Sequence, residues 1–189
     1  KRRLAYSTVS NLSYIVLAAC LMTQNGLIAA LAHMLFHALI KITLFFCAGA
    51  VLVKTERTQI EDLRGMAKVM PFTCATYTIG AISLMGTPLL PGFVSKWLIG
   101  SAAIETGTTL GMIGVAAILI SAVLTAIYLM SPALSMYFRP LEGMEPTAKC
   151  DPGMRMKLPF AILAVSIVLC GVFSNQIITL LTTLAAGVM

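Results

Sequence analysis

The sequence predicts an all-α integral membrane fold with five crossings, the third broken around residues 86–92, and three observations predict it. Hydrophobic residues make up 59% of the 189 residues and charged residues only 11%, against about a quarter charged in soluble domains. Mean hydropathy is +0.94. Second, four apolar runs, Leu4 to Met22, Leu27 to Val53, Leu110 to Phe138 and Leu158 to Met189, can each cross the hydrocarbon, which takes roughly 20 helical residues. Third, the basic residues cluster in the segments between runs.

The first run follows Lys1, Arg2 and Arg3. It carries Ser7, Ser10, Asn11 and Tyr14 at helical spacing, a stripe suited to hydrogen bonding with neighbouring helices or to lining a hydrated path. Leu17-Ala18-Ala19-Cys20 imitates a lipoprotein signal, but this segment is too polar for a signal core. Because the chain opens on Lys1 inside a basic cluster, it is expected to be part of something longer, read here as one membrane domain over residues 1–189.

The second run places His33, His37 and Lys41 at i, i+4 and i+8, so they stack along one helical face about 6 Å apart. A lysine near the bilayer centre costs roughly 2.5 to 3.5 kcal/mol, and such residues face a bundle interior or a watery cavity and mark ion pathways. Bridging water could carry a proton across 6 Å. The structural alternative is neutral histidines bonded to neighbouring helices and a lysine paired with a carboxylate. No Asp or Glu lies inside any apolar run. A metal reading fails on ligand number: the chain has two histidines, both on this helix, and no HExxH motif.

The third stretch, Pro71 to Ile104, carries Gly86-Thr87-Pro88-Leu89-Leu90-Pro91-Gly92 in its middle. Its 34 residues are too few for two full helices and too many for one straight one. A break at membrane depth leaves backbone groups unpaired, which is tolerated where they line a cavity, and broken helices mark ion sites in transporters. The first half ends near Gly86, where its negative dipole end favours a cation, and Lys96 follows between Ser95 and Trp97. An ordinary proline kink with a snorkelling Lys96 is the alternative.

The fourth and fifth runs offer little chemistry; Asn175 and Gln176 read as packing or end groups. Cys20, Cys47, Cys74, Cys150 and Cys170 form no CxxC pair and read as small apolar side chains.

Eleven of the thirteen Lys and Arg residues fall in three segments: Lys1 to Arg3; Lys54, Arg57, Arg64 and Lys68; and Arg139, Lys149, Arg155 and Lys157. One broken crossing puts all three on the same face, with no basic residue in the opposite connections, Thr23 to Gly26 and Glu105 to Thr109. The positive-inside rule therefore puts the amino end inside and the carboxyl end outside. Basic residues confined to such flanks exclude nucleic acid as a partner.

KRRLAYSTVSNLSYI (1 to 15), HMLFHALIKITLFFCAGAV (33 to 51), DLRGMAKVMPFT (62 to 73) and GTPLLPGFVSKW (86 to 97) resemble the carboxyl-terminal half of the antiporter-like membrane subunits of respiratory complex I, membrane-bound hydrogenases and multisubunit cation/proton antiporters. The resemblance covers residues 1 to 105 strongly. It implies symmetry-related half-bundles, each with a discontinuous helix, joined by a hydrated mid-membrane axis. Lys41 then matches the family's central lysine, His33 and His37 its polar companions, and Lys96 the protonatable residue at the second broken helix, linked to the outer side. Some members have Glu there. The family's first-half Glu and Lys pair is absent from this chain.

The expectation is a non-redox, proton-translocating subunit of a redox-driven bacterial or archaeal inner-membrane complex, quinone-reducing or hydrogenase-like. Lys41, Lys96, His37 and His33 would carry protons, with Gly86, Pro88, Pro91 and Gly92 forming the break. Its partners would be other membrane subunits, protons and the lipid bilayer, with no cofactor and no metal in this chain. A component of a sodium/proton antiporter and a structural membrane scaffold are the rivals.

Overall fold

The computed structural model describes residues 1–140 and 150–187. Lys149 of the third basic segment and Met189, the end of the fifth run, lie outside them. Among the described residues the chain is helical, with no strand. The helices are α1 (Arg2–Cys20), α2 (Gln24–Thr55), α3 (Pro71–Met85), α4 (Pro91–Glu105), α5 (Thr109–Phe138), α6 (Met154–Val172) and α7 (Ser174–Ala186), with single-turn 3-10 helices at Glu61–Leu63 and Met66–Lys68.

α2, apolar nearly all round, sits at the centre and packs against α1, α3, α4, α6 and α7, as expected of a helix without a polar face. Thr23 caps it by accepting from the Gly26 amide at 3.0 Å, and Thr108 caps α5 through Gly111 at 3.1 Å. α2, α5 and α6 are long and apolar enough to cross a membrane. α5 leaves Leu119, Ile120, Val123, Leu124 and Ile127 exposed, a surface suited to hydrocarbon.

α3 and α4 are separate helices on either side of residues 86–90. Each starts on a proline, which has no amide to leave unpaired at that position. α3 stops because Gly86 turns left-handed at φ +102°, and the Gly86 and Thr87 amides bond back to Ile82 at 3.3 and 3.2 Å. Leu89 is also left-handed, at φ +70°. At Gly92, a Cβ would overlap the Ser83 carbonyl, so α4 leaves the break in backbone contact with α3. The polar segment between α2 and α3 is packed in by Met66, Val69 and Met70, all fully buried. A Gly65 amide bond to Ser135 O at 3.0 Å ties it to α5.

The run from Leu158 differs from the continuous crossing read in the sequence. It divides into α6 and α7 at Phe173. The helix stops because Phe173 leaves helical geometry, at φ −95° and ψ 26°; just before it a Cβ on Gly171 would overlap Leu89 O, so the end of α6 is seated on the backbone of residues 86–90.

Two apolar clusters form the core. One includes Leu4, Ile40, Leu44, Cys47, Met70, Leu84 and Leu129; the other includes Tyr14, Ala18, Ala29, Ala30, Ile99 and Ile118. On α2, His33 and His37 fall between Ala30 of one cluster and Ile40 of the other. On α1, Ser7 and Asn11 fall between Leu4 and Tyr14. Ser95 and Lys96 stand likewise between Leu84 and Ile99. A polar layer thus crosses the bundle between two apolar ones.

Candidate functional site

Helical periodicity stacks His33 and His37 as neighbours on α2: their ring centroids are 5.8 Å apart and their planes 15° from parallel. Lys41 continues the row, and all three are buried, at 2, 6 and 5% exposure. The Lys41 ammonium donates to Leu4 O at 3.0 Å and to Ser7 Oγ at 2.7 Å, both on α1. Ser7 Oγ also accepts from the Tyr128 hydroxyl of α5 at 2.6 Å. The α1 stripe thus turns Ser7, Asn11 and Tyr14 inward, while Ser10 is exposed and faces Ser121 of α5 at 3.4 Å.

At the other end of the row, His33 Nδ1 lies 2.9 Å from Ser95 Oγ of α4, and the Tyr14 ring meets His33 edge-on at 5.5 Å. Ser95 is the chain neighbour of Lys96. Lys96 is 8% exposed, so it does not snorkel; its ammonium donates to Leu84 O at 2.8 Å and Met85 O at 3.0 Å. These are the last carbonyls of α3, which carry the negative end of that helix's dipole. Gly86 brings its backbone against the Lys96 side chain, which a Cβ there would meet at 3.5 to 3.6 Å. Pro91 and Gly92 are buried, whereas Pro88 stands in the partly exposed loop.

Two sets of contacts result, Ser95 of α4 with His33 and His37 of α2, and Lys41 of α2 with Ser7 of α1 and Tyr128 of α5; Lys96 is the chain neighbour of Ser95, and Lys41 follows His37 by one helical turn. Among the described residues neither ammonium meets a carboxylate. Five buried polar atoms have no partner within the protein: Asn11 Oδ1, Tyr14 OH, His33 Nε2, His37 Nε2 and Ser83 Oγ. Buried polar groups usually find a partner, in protein or in water, and these atoms find none among the described residues. His37 and Lys41 also border a cavity of about 400 Å³ with Thr8 and Leu12 of α1. No three His, Cys, Asp or Glu side chains converge among the described residues as a metal would require.

Sequence reasoning singled out the two lysines and two histidines but missed Tyr128 and Ser83. A signal for Tyr128 existed: Ser121, Thr125 and Tyr128 repeat at helical spacing in an otherwise apolar run.

A family model described as "NADH:quinone oxidoreductase/Mrp antiporter, TM" matches residues 1–125. The chain is 35% identical over 189 residues to NADH-quinone oxidoreductase subunit N of Desulforudis audaxviator, covering 94% of this chain and 37% of that protein. It superposes with a TM-score of 0.82 on a chain of respiratory complex I from Thermus thermophilus, at 25% identity, covering 96% of this chain and 37% of that one. With a chain of the Mrp complex from Dietzia sp. DQ12-45-1b it shares the fold, at a TM-score of 0.86 and 22% identity, covering 97% of this chain and 41% of that one. The chain spans well under half the length of each of these proteins. With its apolar helices, the match makes it an integral membrane protein, and the chain belongs to the NADH:quinone oxidoreductase/Mrp antiporter transmembrane family.

Proposed function

We propose that this chain carries protons through the membrane as part of a multisubunit, redox-driven complex. The observation that carries the reading is the pair of buried ammonium groups, Lys41 and Lys96, held only by neutral oxygens, with Ser95, His33 and His37 in contact with one another between them in the fold. An ammonium without a counter-ion is costly at bilayer depth, and such groups mark ion or proton pathways. Lys41 relays protons within the layer, His33 and His37 assist through water, and Lys96 exchanges them with the outer side. The driving reaction takes place in partner subunits.

We read α3, the 86–90 segment and α4 as one discontinuous crossing, which makes five crossings in all. Supporting this, one cavity is bordered by Arg3, Val51, Thr73 and Met136, near the start of α1, the end of α2, the start of α3 and the end of α5. Asn25 at the start of α2 bonds Glu105 at the end of α4 at 2.6 Å. On this reading the basic segments share the inner face.

The test is Lys41→Ala and Lys96→Ala in the assembled complex, with proton translocation recorded per complex. Both are expected to abolish it, with flux in the unsubstituted complex independent of sodium; undiminished pumping in both variants refutes the proposal. One observation favours a structural reading for Lys96, because its ammonium closes the carboxyl end of α3. That reading predicts less assembled complex and unchanged flux per complex.

A further inference from the structure

We propose that the basic cleft between α1, α2, α3 and α5 holds the phosphate head of an anionic membrane phospholipid. The cleft is a cavity of about 620 Å³ whose rim carries Lys1, Arg2, Arg3 and Arg57, with Glu61 the one carboxylate among the described residues bordering it, while Glu56 and Asp62 stand with Arg57 around an adjoining cavity. Its floor is built from different chemistry: Cys47, Val51, Leu129 and Met136 with the Tyr77 ring. Cys47 lies eight residues before Thr55, the end of α2, so the floor reaches about 12 Å below the helix end at 1.5 Å per residue.

A cationic rim over an apolar floor matches an amphiphile. A free phosphate satisfies the rim and leaves the floor empty; a phospholipid fills both. Guanidinium groups bind phosphate oxygens in pairs; Arg3 comes from α1 and Arg57 from the segment that follows α2. Arg3 is held toward α5 by donating to Tyr128 O at 3.1 Å, and Arg57 is steadied by donating to Asp62 O at 2.7 Å. Basic pockets between transmembrane helices on the cytoplasmic side are a recurrent setting for such headgroups. The site adjoins the Lys41 end of the row through Leu4 and Tyr128, but lipid retention does not depend on that row moving protons.

The experiment uses the membrane assembly purified in detergent, exchanged into phosphatidylglycerol or phosphatidylcholine vesicles, re-extracted and analysed for retained lipid by mass spectrometry. Retention of phosphatidylglycerol over phosphatidylcholine is expected. Arg3→Gln and Arg57→Gln should each lower it about fivefold, the equivalent of about 1 kcal/mol per basic residue at the membrane surface. Arg3→Lys with Arg57→Lys should retain most of it, and Lys54→Gln, outside the cleft, should change nothing. Equal retention of the two lipids by the unsubstituted assembly overturns the proposal whatever the variants do. Displacement of phosphatidylglycerol by millimolar inorganic phosphate overturns it in favour of a soluble anion.

Discussion

Lys41 and Lys96 hold the same kind of place on two helices: each sends its ammonium across to oxygens of a neighbour, Leu4 and Ser7 for one, Leu84 and Met85 for the other. Ser7 is shared between Lys41 and Tyr128, so on the proposed function a proton leaving Lys41 meets the Ser7 hydroxyl first and the Tyr128 hydroxyl behind it. Tyr128→Phe removes one of these hydroxyls while keeping the ring. A lost hydrogen bond is worth about 1 kcal/mol, so proton flux per complex should fall about fivefold where this step limits, with assembly unchanged; stopped-flow flux measurements in vesicles check this. The lysines and histidines were legible because a titratable group in an apolar run is conspicuous alone. Tyr128 was not, because its partner is 121 residues away and only packing brings them together.

At the scale of elements, the end of α3 and the start of α4 were legible from Gly86 and Pro91, residues that stop or start helices by their own backbone chemistry. The interruption at Phe173 was not, since no proline or left-handed glycine marks it, and the neighbouring approach of Gly171 to Leu89 is a contact no local pattern encodes. Gly92→Ala and Gly171→Ala each force a methyl group into backbone oxygen. Each should destabilise the fold by about 1 to 3 kcal/mol, as overpacking does, lowering the thermal midpoint by tryptophan fluorescence. Asp151 was also illegible as a helix cap. Its carboxylate accepts from the Phe72 and Thr73 amides at 3.1 and 3.3 Å and from the Thr73 hydroxyl at 3.1 Å, so it caps α3 from 78 residues away. Asp151→Ala should cost about 1 kcal/mol, the usual worth of such a cap, visible in the same melting experiment.

For the whole molecule, the helical membrane class followed from composition, and the proposed crossings yield a direct check. Thr58→Cys and Thr106→Cys, one in the α2–α3 connection and one in the α4–α5 connection, should react with a membrane-impermeant thiol reagent from opposite sides of oriented vesicles. Labelling of both from one side removes the single broken crossing. The way α1, α2, α4 and α5 assemble the polar layer could not be read from any one run, because each contributes one or two polar residues that mean little alone. The cavity at His37 and Lys41 is bordered by Met34, Ile42 and Phe46, whose side chains are about half exposed. On the proposed function the row is therefore covered at His37 and Lys41 by apolar side chains that are themselves half exposed, like a cable whose sheath is thin along one strip. Current along it stays confined only if a neighbouring helix closes that strip, so liposomes holding this chain by itself should show no coupled proton transport.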